Sequence, residues 1–408
     1  MKRKDILELK KRFKKDECTF TRICGCFVNS EKNIVLEINE NFLNLDEDDY
    51  FKYLEIAKKV LSGTIGNNIL GLNFVNDEKE SNDKQLSLIG LKKSKLKDND
   101  LLDNLYKSII DNYNYEGNYL ILLFHDVYDI ITKTKDNLKV DESEEVFEYI
   151  ICAICPVSLS DAGLSYCEEE NKIKSRVRDW VVGFPTSGFT YPAFIDRSPD
   201  IDSIMYYTKN PKEIHEELLE NTLGCLAKDT STIQKNKFQS VIKDSISADE
   251  EEANKIYMEV QENLSNMVSD YKLHTNNESS EPIKLTQDNL KDILEESGIT
   301  KDNALKIENL YKESFDNDLP LAESLIDKKA LKESELRKKE RTLEKQVEFL
   351  KVKLEQVDFK DDIEENYDII LQVKPEKVSE IKSQTIDGQE CIIIPVSRNE
   401  KTTIHELR

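Results

Sequence analysis

Asn118-Tyr119-Leu120-Ile121-Leu122-Leu123-Phe124 is an almost unbroken apolar run behind Gly117, and Val146 to Val157 is a second, interrupted only by Glu148. Runs of this length without polar alternation read as central strands buried on both faces of a sheet. The stretch between them, Ile131 to Glu145, is polar and charged, and predicts an exposed connection.

The same reading extends outward from this pair. Upstream, Thr19 to Val28 and Asn33 to Ile38 are β-rich runs joined by Asn29-Ser30-Glu31-Lys32, a hairpin with turn-forming residues. Asp46-Glu47-Asp48-Asp49 opens a helix that ends near Leu61 and Gly63, with acids favouring the N-terminal dipole. Lys84 to Leu96 and Asn99 to Asn112 read as two more helices. Downstream, Arg176 to Phe184 and Phe189 to Phe194 flank Pro185-Thr186-Ser187-Gly188 as a second hairpin, and Ser203 to Thr208 is a last strand.

From Pro211 the period becomes helical, over Lys212 to Leu223, Ile233 to Ser245 and Glu250 to Leu273. Thr275 to Pro282 is a polar linker. A two-helix unit follows, turning at Gly298, and then Lys328 to Gln356 is free of Gly and Pro. Leu336, Leu343, Leu350 and Val357 recur there every seven residues, with Val347 and Leu354 in the alternate positions and Glu340 interrupting: a short heptad seam. Tyr367 to Val373 and Glu390 to Val396, with Asp387-Gly388 between them, predict a closing β-hairpin.

The fold class is therefore α+β, a mixed sheet with flanking helices in the first half and a helical second half with a terminal β-hairpin. The expected divisions are a mixed α/β domain over 1–210, a helical segment over 211–274, a small helical unit over 283–326, the long charged helix over 327–360 and a β element over 361–408.

Composition limits what such a chain can bind. Its 58 basic against 81 acidic residues give a formal charge of −23, which repels polyanions at long range. Only the start is locally basic: eight Lys and Arg against Asp5 and Glu8 leave a surplus of six positive charges in residues 1–15. Ile6, Leu9 and Phe13 form one helix face there, so Lys2, Arg3, Lys4, Lys11, Arg12 and Lys15 are the candidate nucleic-acid contacts. The competing reading is that these charges neutralise the protein's own acidic surface. No export-signal core follows the basic start, no run reaches the roughly 18 apolar residues of a membrane span, and the eight cysteines mostly lie in apolar runs. Reduced thiols and a cytoplasmic protein without a membrane partner are expected.

Signatures of chemistry are sparse. Cys152-Ala-Ile-Cys155 has redox spacing, but on a strand positions three apart point to opposite faces. Cys24 and Cys26 share a face, yet a structural zinc needs four ligands and the chain has four histidines in all. Neither metal nor cofactor is expected. The loop Ser62 to Asn67 has the glycines of a phosphate cradle without the Gly-Lys-Ser/Thr end, so helix capping explains it. His125-Asp126, at the exit of the central strand, is the best candidate for a ligand site, with Arg178, Asp196 and Arg197 as polar residues that could converge on it. The bland alternative is a strand exit whose histidine caps backbone groups. No residue is singled out as catalytic.

Gly117 to Asp129, Cys152 to Val157, Asp179-Trp-Val-Val182, Phe189 to Arg197 and Tyr206-Tyr-Thr-Lys-Asn210 together resemble an uncharacterised family of Clostridia and related Firmicutes, domain of unknown function 4317. The likeness runs from Lys4 through Gly25-Cys26 to Asp387-Gly388 and implies no assigned activity. In order of elements the chain is also distantly similar to bacterial nucleoid-associated proteins of the NdpA type. That similarity implies a non-enzymatic, DNA-associated interaction protein. An enzyme or small-ligand binder using His125-Asp126 is the alternative. The heptad stripe predicts a homodimer.

Overall fold

The computed structural model describes residues 2–14, 17–75, 82–133, 139–246, 249–274, 282–315, 318–356 and 380–396. Contacts divide the chain into two compact units, Met1–Ser334 and Glu335–Arg408.

In the first unit α1 (Arg3–Lys11) precedes the hairpin β1 (Phe20–Val28) and β2 (Ile34–Asn41), then α2 (Glu47–Val60), β3 (Ile69–Asn73), α3 (Asp83–Lys93) and α4 (Asn99–Asn112). The two apolar runs form β4 (Asn118–Lys133) and β5 (Lys139–Leu159), longer than their apolar cores. Their ladder runs from Asn118↔Val157 to Lys133↔Lys139, so Ile131 to Glu145 is mostly strand rather than a connection. Backbone hydrogen bonds carry this extension, and a polar run is no bar to them.

Short strands follow: β6 (Leu164–Cys167), β7 (Lys172–Ser175), β8 (Trp180–Val182), β9 (Ser187–Tyr191), β10 (Ala193–Ile195), β11 (Ser198–Asp200) and β12 (Ser203–Thr208). The expected hairpin between 176–184 and 189–194 does not form. Instead β8 and β9 both pair with β5, at Val157–Leu159 and Ile150–Ile154, as two pieces of one interrupted strand. The length of β5 is what lets it template both.

The sheet is antiparallel throughout, with order β2-β1-β4-β5-β9-β12-β3 and β8 beside β5. Tyr119, Ile121 and Leu123 of β4 join the core beneath α3 and α4, while Leu120, Leu122 and Phe124 join the one beneath α1 and α2. Burial on both faces explains the continuous apolar runs. At Gly25 a Cβ would stand 2.3 Å from the Ile121 carbonyl oxygen, so β1 and β4 approach as only glycine allows.

After β12 the predicted helix over Lys212 to Leu223 shrinks to a π-helical turn at Leu218–Thr222. Thr208 Oγ1 donates to the carbonyls of Asn210 and Glu213, and His215 sits at φ +49, which together break the helix. A third core gathers α5 (Ser231–Ile246), α6 (Glu250–His274), α7 (Gln287–Glu296), α8 (Lys301–Phe315) and α9 (Ala322–Leu325). The glycine-bearing loop ties it to the sheet: Ser231 N donates to Gly66 O at 2.7 Å, and Asn67 Oδ1 accepts from Thr232 N and Oγ1, both at 2.9 Å. That loop caps a helix. The linker from Thr275 lies outside the described residues except for Pro282.

α10 (Lys328–Gln356) begins in the first unit and supplies most of the described second one. Leu336, Leu343, Val347 and Leu350 are each at least half exposed along it, and Val357 lies outside the described residues. The terminal hairpin is β13 (Lys382–Ile386) with β14 (Gln389–Ile393). Asp387 and Gly388, both at positive φ, make the two-residue turn that selects the adjacent segment as partner. Tyr367 to Val373, the expected partner strand, lies outside the described residues.

Candidate functional site

Side chains alternate across a strand, so consecutive residues at the end of β4 cannot share a pocket. His125 follows Ile121 and Leu123 to the α3–α4 face, and Asp126 follows Leu122 and Phe124 to the α1–α2 face.

On the first face a bulge in β1 supplies the partners. Phe20 pairs with Asp126 and Arg22 with His125, which leaves Thr21 as the extra residue. Thr21 Oγ1 lies 2.6 Å from His125 Nδ1, and Glu148 Oε1 lies 3.2 Å from Nε2. The imidazole is fully buried, while Glu148 keeps 27% of its side-chain exposure. Burial lowers the histidine pKa against the pull of the Glu148 carboxylate, so the ring is neutral near pH 7. Nε2–H then donates to Glu148, and Nδ1 accepts from the Thr21 hydroxyl. Beside it, Arg22 Nη2 donates to Asn39 Oδ1, whereas Arg22 Nε is buried with no hydrogen-bond partner. Hydroxyl, imidazole and carboxylate in line can pass a proton. Neither Thr21 nor Glu148 stood out in the sequence, because each becomes a neighbour of His125 only once the β1 and β5 registers are known.

The opposite face is an interlocked polar cluster built on α1. Asp126, 1% exposed, accepts from Thr19 Oγ1 at 2.6 Å, Val127 N at 2.9 Å, the Tyr149 hydroxyl and Arg12 Nη1 at 3.5 Å. The Arg12 guanidinium sits 3.9 Å over the Tyr128 ring, and the Tyr128 hydroxyl donates to Glu8 at 2.6 Å. Glu8 also receives Arg197 Nε and Nη2 at 3.0 to 3.1 Å. Lys2 Nζ meets Asp196 Oδ1 at 2.5 Å, which lowers the aspartate pKa and raises that of the lysine. Asp196 and Arg197 occupy the β10–β11 turn, both in the left-handed region at φ 50 and 63.

Three of the five expected site residues, Asp126, Asp196 and Arg197, therefore meet through α1. His125 lies behind the sheet, and Arg178 stands apart, its Nε donating to the Ser160 carbonyl at 2.6 Å. Of the basic candidates, Lys2 and Arg12 are engaged within the chain, Arg3, Lys4 and Lys11 are exposed, and Lys15 lies outside the described residues. A further basic group was not evident in the sequence. Lys10, at the end of α1, is brought beside Lys58 and Lys59 at the end of α2, and partial burial and their repulsion lower its pKa. Basic last turns on both helices were the available signal.

The cysteines do not assemble a site. Cys152 and Cys155 belong to opposite cores, and burial pushes both thiols up. Among the described residues no group of three or more His, Cys, Asp and Glu is placed to hold a metal, and no helix is long and apolar enough to cross a membrane.

The chain belongs to the family described as a domain of unknown function, DUF4317, whose model matches residues 1–406. No curated protein matches it.

Proposed function

We propose, for a chain whose family description names no activity, a non-enzymatic interaction protein of the bacterial cytoplasm, nucleoid-associated in kind and working as a homodimer that touches DNA. A Clostridial or related Firmicute source and a distant kinship with NdpA-type proteins form part of the same reading. The observation that carries it is the gathering of Lys10, Lys58 and Lys59 where α1 and α2 end, on a protein whose total charge is −23. Like charges held together cost free energy unless an anion relieves them, and duplex phosphates do so by counterion release. Arg3, Lys4 and Lys11 are further exposed basic residues of the same helix α1. Distant acidic residues weigh little, because the Debye length is about 8 Å at physiological salt.

The experiment is anisotropy of labelled duplex DNA at two salt concentrations. Intact protein is expected to bind at low salt, with the logarithm of affinity falling by about 0.9 per neutralised phosphate against the logarithm of salt. Lys10→Ala with Lys58→Ala and Lys59→Ala should flatten that slope by roughly two to three. Equal binding by both proteins, or none at low salt, sinks the DNA reading.

A second reading, an enzyme or small-ligand binder at the strand end His125-Asp126, is favoured by one observation, the alignment of Thr21, His125 and Glu148. Asp126, on the other face and saturated by its four partners, takes no part in it.

A further inference from the structure

Past the reach of β9, the end of β5 leaves the sheet as half of a two-stranded ribbon. Leu159 pairs with Trp180, Ser160 N donates to Asp179 O at 2.8 Å, and Arg176 N donates to Gly163 O at 2.9 Å. The ladder ends as β6 and β7, from Leu164↔Ser175 to Cys167↔Lys172, and among the described strands no third one pairs with either. A lone two-stranded ribbon is marginal in water and offers unpaired edges.

Cross-strand partners share a face, so Leu164, Tyr166 and Ile173 lie on one side of β6–β7 and Lys172 and Lys174 on the other. The apolar side is bare: Leu164 is 74% exposed, Tyr166 56% and Ile173 63%. Nearer the sheet, Val177, Trp180, Val181, Val182 and Phe184 are also exposed. Leu164, Tyr166 and Ile173 side by side make a bare apolar face on the order of the few hundred Å² that marks an interaction site.

Charge is ordered along the same ribbon. Its tip is Glu168-Glu169-Glu170, of which Glu170 is paired with Lys174, and its neck carries Arg176 and Arg178. Arg178 spends its Nε on a backbone carbonyl instead of a carboxylate. We propose that the ribbon is a self-association surface, covered by the ribbon of a second copy of this chain running antiparallel about a two-fold axis. In that arrangement each acidic tip meets the partner's basic neck, and the two apolar faces cover one another, as a self-complementary contact requires. The proposal rests on the interaction-protein reading but needs neither DNA nor the α10 seam.

Trp180 is the sole tryptophan and sits on the ribbon, so it reports directly. Full-length protein is followed by sedimentation and by tryptophan emission from dilute to concentrated solution. Mass should rise from monomer while the emission shifts to the blue over the same range. Tyr166→Asp with Ile173→Asp, both at exposed positions, should weaken association by at least about tenfold. As a control on folding, Glu168→Lys with Glu169→Lys should also weaken it, and mixing that protein with an Arg176→Glu, Arg178→Glu form should restore it. Emission that stays that of an exposed indole while mass rises, or association unchanged in Tyr166→Asp with Ile173→Asp, overturns the proposal. So does a blue shift that appears only with phosphatidylglycerol vesicles, which would make lipid the occupant. Ribbon association in a protein that ignores DNA would refute the nucleoid-associated reading and uphold this one.

Discussion

Arg12, the residue that ends α1, and Asp126 of β4 face each other at 3.5 Å with side chains only 14% and 1% exposed, although 114 positions separate them. Removing the Asp126 carboxylate leaves the buried Tyr149 hydroxyl, Thr19 Oγ1 and Val127 N without their acceptor, whereas removing the Arg12 guanidinium leaves the carboxylate those three donors. Asp126→Ala is therefore expected to destabilise the first unit by about 3 to 5 kcal/mol, and Arg12→Ala by about 1 to 3 kcal/mol. Urea unfolding followed by circular dichroism checks the order. A larger loss for Arg12→Ala would mean that Tyr149, Thr19 and Val127 do not satisfy the carboxylate without the guanidinium.

Acid sensitivity follows from two histidines. Burial lowers the pKa of both His125 and His215 below 6.5. As pH falls through 6.5 the unfolded chain takes up protons first, so stability present above that value is lost down to the folded-state values. Melting temperature should thus drop as pH falls below about 6.5. His125→Gln with His215→Gln should make the drop shallower, and equal slopes for the two proteins would refute this origin.

Thiol reactivity should split by burial. Burial pushes Cys26, Cys155 and Cys225 up to about 12 and raises Cys24 and Cys152 as well. Cys18, Cys167 and Cys391 are only partly buried. A native titration with a thiol reagent near pH 8 should show Cys167 and Cys391 reacting fast, Cys18 more slowly because burial raises its thiol as well, and the other five appearing on unfolding. Five fast groups would contradict the buried assignments.

If α10 pairs between copies, Leu343→Asp with Leu350→Asp should halve the mass seen by light scattering at tens of micromolar without loss of helix signal. An unchanged mass would mean that α10 does not pair between copies.

What the sequence made legible followed from burial. The unbroken apolar runs marked β4 and β5 because both faces are covered, and Ile6, Leu9 and Phe13 marked the docked face of α1. Where pairing depended on the backbone, the signal failed: nothing in Ile131 to Glu145 says that the β4–β5 ladder continues, and only the length of β5 makes β8 and β9 collinear. His125 and Asp126 stood out as polar residues at a strand exit, but period two sends them to different faces. Glu8, Tyr128 and Arg197 were invisible as a group because Glu8 reaches partners 120 or more positions away only after α1 docks.

That docking is uneven along the helix. Its far end is pinned by Leu9, Phe13 and the sheltered Arg12–Asp126 pair, while its near end is held to the β10–β11 turn by Lys2–Asp196 and Glu8–Arg197, which solvent reaches. Screening acts on the second pair of contacts and spares the first. The helix is a cantilever with an electrostatic latch at its tip, and any polyanion that takes Lys2 from Asp196 competes with the same contact that salt loosens. Ionic strength would then loosen the latch, and if α1 takes up DNA as proposed, a salt titration of that binding would read two equilibria in one curve.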